Sequence, residues 1–177
     1  EFQIAKSFKN FREIPNYDLV ILQKTMLSTG RVKKIAQLSK KFIYDADDRI
    51  WLRPLKKYGL LTQARINHRL RTICKYAKQC MVSNDVIATD IREFGGKPII
   101  IPMGLDGDVW HPKKTENDEI VIGWTGAPVN LLFLENILKP LKEFLKRNSD
   151  VKFIIHCGEN PNFKNIDYEY VPFSSGK

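Results

Sequence analysis

The sequence has no apolar run approaching the roughly 20 residues that a helix needs to cross a bilayer, so no transmembrane helix is expected. Cysteine is scarce: Cys74, Cys80 and Cys157 are the only three, and they are scattered, which excludes a disulfide framework. No pair has the short spacing of a zinc site, and only three histidines are available as partners. We read the three as buried, reduced thiols in a cytoplasmic protein. The chain opens with Glu1 and a polar, mixed-charge stretch, so no signal-peptide pattern is expected within these residues. An opening without Met leads us to expect that the true N-terminus lies upstream. Neither GxGxxG nor a Walker loop is present, and Ser-His-Asp or Cys-His nucleophile arrangements are not evident. Internal repeats and low-complexity segments are absent as well.

What is there is ordinary in bulk and uneven in charge. A hydrophobic fraction of 43% with 28% charged residues is that of a folded globular protein and excludes general disorder. The net charge of +9 favours anionic partners, whether nucleic acid, a phosphorylated substrate or an acidic membrane surface.

Short apolar runs alternate with longer amphipathic ones. Strands are expected at 18–23, after the turn signal Pro15-Asn16, and at 42–44, 79–83 and 98–102. Helical spacing runs through Val32, Ile35, Ala36 and Leu38, and a helix over 85–94 should stop at Gly95-Gly96. Residues 106–118, within a stretch rich in Gly, Asp, Pro, Lys and Asn, read as a connector between residues 1–105 and 119–177. A strand at 119–124 follows, then the turn Thr125-Gly126-Ala127-Pro128, one helix over about 130–147, and strands at 151–156 and 168–173. Strands this apolar are expected to be buried on both faces, and helices between them imply parallel sheets. The fold class is α/β, with parts of two doubly wound, Rossmann-like parallel-sheet domains, neither of them whole.

Ligands of open parallel sheets bind at the carboxyl ends of the strands, and that rule selects the candidates. Gly123 to Pro128 lies between a strand and the expected long helix. Its glycines and a helix N-terminus could receive a phosphate, or it could be a tight turn with no ligand. Asp45, Asp47 and Asp48 place three carboxylates within four residues. They could bind a metal, act as a base or bond sugar hydroxyls, or they could cap a helix. The stretch from Arg53 to Lys78 contains no Asp or Glu. Ile66, Leu70, Ile73, Cys74 and Ala77 make an apolar stripe there, with Arg65, Arg69, Arg71, Lys75 and Lys78 largely off it. Such a helix can lie on anionic lipid or face nucleic acid, or simply present a solvated face. His156 and Gly158 close the next strand near Gly126, and a lone histidine there reads as structural.

Three segments in order, Lys41 to Asp48, Ile99 to Asp106 with Pro112 after it, and Ile122 to Pro128, resemble the group 1 (family 4) glycosyltransferases. The resemblance covers nearly all the chain from about Asp18. It implies a GT-B fold in which residues 1–105 belong to the acceptor domain and 119–177 begin the donor domain. It implies transfer of a sugar from a nucleotide-diphosphate sugar to a saccharide or lipid-linked acceptor, with retention of configuration and no metal or other cofactor. By position Gly126, Ala127, Pro128 and Asn130 would lie near the donor phosphates, Gly158 near the nucleoside and Pro172 beside the base. Asp47 stands where many relatives carry a histidine, so Asp47 and Asp48 are the catalytic candidates. Gly126 is followed by Ala-Pro-Val-Asn, without the Arg and Lys common in relatives. The relatives' first glycine-rich loop and their glutamate-bearing donor segment have no counterpart, so these 177 residues alone are expected not to turn over substrate.

Under this reading the protein is cytoplasmic, and Arg65, Arg69 and Lys75 contact the anionic inner face of the membrane. Two alternatives stay open: an epimerase of the same fold acting on nucleotide-sugars, and a basic binding module for nucleic acid or an anionic surface. Nucleic acid is not expected, because no aromatics are interleaved with the basic residues as stacking platforms.

Overall fold

A parallel strand pair cannot be joined by a tight turn; the chain must cross back over the sheet, and a helix is the usual crossover. The computed structural model, which describes residues 11–52, 58–112 and 119–173, follows that rule. The first sheet is built from β1 (Val20–Gln23), β2 (Phe42–Ala46), β3 (Gln79–Val82) and β4 (Pro98–Ile100), all parallel neighbours in that order. Between them run α1 (Thr29–Leu38), α2 (Leu60–Tyr76) and α3 (Asp85–Glu93). The second sheet is β5 (Ile120–Gly126), β6 (Val151–Cys157) and β7 (Glu169–Pro172), also parallel and in that order. The chain divides into two compact units, Glu1–Trp110 and His111–Lys177.

Local chemistry accounts for the boundaries of α3. The Asn84 side chain accepts from the Ile87 N–H at 3.1 Å, capping the first turn. At the other end Gly95 takes φ +82°, a left-handed conformation that suits glycine, and the Gly96 N–H bonds back to Ile91 O at 2.8 Å. Gly96 has a packing reason too: a Cβ there would stand 2.6 Å from Ile91 Cγ2 and 3.1 Å from Cys74 Sγ.

Burial in the first sheet follows the register. Leu22, Tyr44 and Cys80 form one row across β1, β2 and β3, and all three are buried. They meet Val32 and Ile35 of α1, Leu70 and Ile73 of α2, and Ile87 and Ile91 of α3 in one core. The adjacent row, Gln23, Asp45, Met81 and Ile99, points the other way, and none of the four is buried. The expectation of strands buried on both faces is therefore corrected. Crossovers of one hand along an order that never reverses put every helix on the same face of the sheet. The second sheet repeats the pattern. Phe153 and Ile155 are buried beneath Leu134, Leu138 and Leu141, while Val121 and Val171 of the other face are exposed. Neither strand order reverses among the described residues, so the two sheets are compatible with Rossmann-like domains without displaying the reversal that defines double winding.

The helix expected over about 130–147 is broken. A 3-10 turn at Pro128–Asn130 leads into α4 (Leu131–Glu135), and α5 (Leu138–Arg147) starts afresh. Pro140 explains the break. It lacks the N–H that would bond to Asn136, and its ring would clash with that carbonyl, so it is accommodated only in the first turn of a new helix.

Candidate functional site

In the first unit, the carboxyl ends of β1 and β2 carry the acidic cluster. Asp45 is a strand residue on the uncovered face and accepts from Gln23 Nε2 at 2.9 Å, a neighbour in register. Asp47 and Asp48 follow the strand, and the Lys24 ammonium pairs with both, reaching Asp48 Oδ2 at 3.4 Å. Lys24 adopts φ 44°, a left-handed backbone that a non-glycine residue takes at a cost of about 1–2 kcal/mol. That turn sends its side chain over the end of β2, while its N–H bonds to Asp45 O at 2.9 Å. The Asp47 carboxylate, accepting from the ammonium, holds the Lys24 pKa above its ordinary 10.5. Asp47 Oδ1 is buried without a hydrogen-bond partner among the described residues, leaving one acceptor at the cluster.

Helix capping by these aspartates gains no support: among the described residues no helix begins there, and α2 starts at Leu60 with Gly59 as its cap. The metal alternative gains no support either, since no set of three or more His, Cys, Asp or Glu side chains converges among the described residues. What steadies the loop beyond Asp48 is a second network. Arg49 donates twice to Asp90 of α3, at 2.7 and 2.8 Å, and the buried Trp51 indole donates to the same carboxylate at 2.7 Å. The Ser83 hydroxyl adds a bond to Asp47 O at 2.9 Å.

In the second unit, Gly126, Cys157 and Pro172 occupy one register row at the carboxyl edge of the sheet. Gly158 follows, and a Cβ on it would stand 3.4 Å from Pro128 Cγ, so the two turns touch. Asn130 donates its N–H to Ala127 O at 2.8 Å, which closes the 3-10 turn. Gly126, Pro128, Gly158 and Pro172 are thus brought to one end of one sheet, with Ala127 and Asn130 in the connecting turn. The strong dipole of a long helix is absent at this place, because α4 has five residues.

His156 lies one residue away but on the opposite face, as alternation requires. It sits 3.2 Å from Thr125 Oγ1 and stacks on Phe173, with ring centroids 4.5 Å apart and planes 7° from parallel. A hollow of about 380 Å³ lined by Lys142, Lys146, Val151 and Ile166 lies at the beginning of β6, away from this row.

The basic stretch of the sequence becomes α2. Leu70, Ile73 and Cys74 are buried, whereas Arg65, Arg71 and Lys75 are exposed. Arg69 is only half exposed, so it is less available than the spacing implied. Sequence reasoning missed Lys24, Gln23, Asp90 and the His156–Phe173 pair. A lysine one residue beyond a strand end beside an acidic strand end was the signal for Lys24; the others depend on register.

The arrangement defines a mixed α/β protein with two parallel sheets and polar residues gathered at strand ends. No family model matches the chain, and no curated protein matches it. Among solved structures it is similar to a chain of the Glycosylation Associate Protein (Gap123) complex from Streptococcus agalactiae, with 13% identity and a TM-score of 0.41. The match covers 84% of this chain and 27% of that one. A likeness that slight assigns neither fold family nor role. No helix among the described residues is long and apolar enough to cross a membrane.

Proposed function

We propose that the chain is part of a glycosyltransferase of the GT-B type that uses a nucleotide-diphosphate sugar. In this reading the second unit binds the donor and the first unit the acceptor. The observation that carries it is the register row Gly126, Cys157 and Pro172, with Gly158 against Pro128, at the carboxyl edge of a parallel sheet. Crevices at that edge are where open α/β sheets take their ligands. Residues without bulky side chains let a diphosphate approach the backbone N–H groups of the turn. Stabilising the departing nucleotide diphosphate through such fixed donors is the main catalytic contribution available to these residues. Asp47 and Asp48 are steadied by Lys24, and the exposed Asp48 carboxylate bonds hydroxyls of the acceptor sugar.

Titrating the chain with UDP, GDP and ADP while recording amide chemical shifts tests the donor site. One nucleotide diphosphate is expected to shift the Gly126, Ala127 and Gly158 amides in a saturable way. The substitution Gly158→Val should abolish those shifts and leave the rest of the spectrum in place. Shifts confined to other parts of the chain, or none with any of the three, would overturn the assignment.

A further inference from the structure

Helix α2 leaves its outward face bare in an unusual way. Leu60 and Leu61, in its first turn, are 91% and 85% exposed, among the most exposed large apolar side chains of the described residues. At 100° per residue Leu61, Arg65, His68 and Lys75 fall on one side of the helix, with Arg71 at its margin. All five are exposed. The opposite side, through Leu70, Ile73 and Cys74, is committed to the core. No acidic residue occurs anywhere in α2, and none of Arg65, Arg69, Arg71 and Lys75 pairs with a carboxylate among the described residues.

A solvated helix face usually carries both signs of charge; this one carries cations alone, beside two adjacent exposed leucines. Adjacent exposed leucines beside cations, with no anion, complement an anionic lipid surface: apolar side chains enter the acyl boundary while the cations lie at the headgroups. Duplex nucleic acid satisfies the cations and gives the leucines nothing.

We propose that the exposed face of α2, from Leu60 and Leu61 in its first turn to Lys75 in its last, is a membrane-docking element for anionic phospholipid. Leu60 and Leu61 insert, and Arg65, His68, Arg71 and Lys75 contact the headgroups. This stands apart from the transferase reading, because vesicle binding is measured without any sugar donor.

The test uses the full chain with vesicles of phosphatidylcholine, alone or with phosphatidylglycerol, scored by sedimentation at two salt concentrations. Binding is expected only with phosphatidylglycerol and should weaken with salt. Leu60→Ser with Leu61→Ser should weaken it by about tenfold or more, and Arg65→Glu with Lys75→Glu by a similar factor. These positions are exposed, and an unchanged circular dichroism spectrum checks that the variants fold. In a separate variant, Leu60→Trp, emission should shift to the blue on anionic vesicles. Absence of vesicle binding by the unsubstituted chain overturns the proposal. So does binding that ignores the leucine substitutions, which would mean charge attraction alone. Preference for random duplex DNA over vesicles would overturn it in favour of nucleic acid.

Discussion

Removing the Asp90 carboxylate should loosen the loop that carries Asp47 and Asp48, because three donors on that loop converge on it. Trp51 is 2% exposed and its indole N–H has Asp90 as acceptor at 2.7 Å. Leaving such a buried donor unsatisfied costs about 1–3 kcal/mol. The Arg49 pair contributes less, since the arginine side chain is 41% exposed and solvent screens it, which holds its share to about 0–1 kcal/mol. Alanine is the better helix former in α3, which offsets about 0.5 kcal/mol. Asp90→Ala is therefore expected to destabilise the first unit by about 2 kcal/mol. Asp90→Asn keeps an oxygen for the indole and gives up the charge, so it should cost about 1 kcal/mol or less. Urea unfolding followed by circular dichroism at 222 nm, with the slope unchanged, measures both. Equal losses for the two variants would mean that the ion pair, and not the indole bond, dominates. A loss below about 0.5 kcal/mol for Asp90→Ala would refute the reasoning that this network holds the loop.

Gly96→Ala should cost about 1–3 kcal/mol by overpacking, since the added methyl meets Ile91 and Cys74; a thermal melt compares it with Gly95→Ala, where strain at φ +82° is the cause. The Lys24 contacts add stability that is full below pH 10.5 and is lost as pH rises through the raised folded-state pKa; unfolding midpoints should show no Lys24→Met difference arising from titration between pH 7 and 9, and one that narrows only above pH 10.5. All three thiols are buried, and Cys74 is pushed up by donating to Cys80 and by burial, so an aromatic disulfide reagent should react with none of them until the chain unfolds. Rapid reaction of Cys74 in the folded state would show that the Gly96 seam opens.

Much of the fold was legible in the sequence. The apolar runs at Val20, Phe42, Gln79, Pro98, Ile120 and Val151 are local signals, and helical periods between them leave parallel pairing as the economical arrangement. The stop at Gly95-Gly96 and the inward stripe of α2 are equally local. Pro140 was legible as well, but the apolar period from Leu131 to Leu145 runs through it and hides the break.

Tertiary structure decided what lies far apart in sequence. Asp90 serves Arg49 from 41 residues away, Lys24 reaches Asp48 across 24, and Phe173, just past the end of the neighbouring strand, stacks on His156. It also decided that, among the described residues, helices cover one face only of each sheet, which the apolar composition of the strands does not reveal. Periodicity states which side chains share a face of one element. Which element meets that face, and which strand ends come level, follows from register and crossover direction, and those are properties of the assembled sheet.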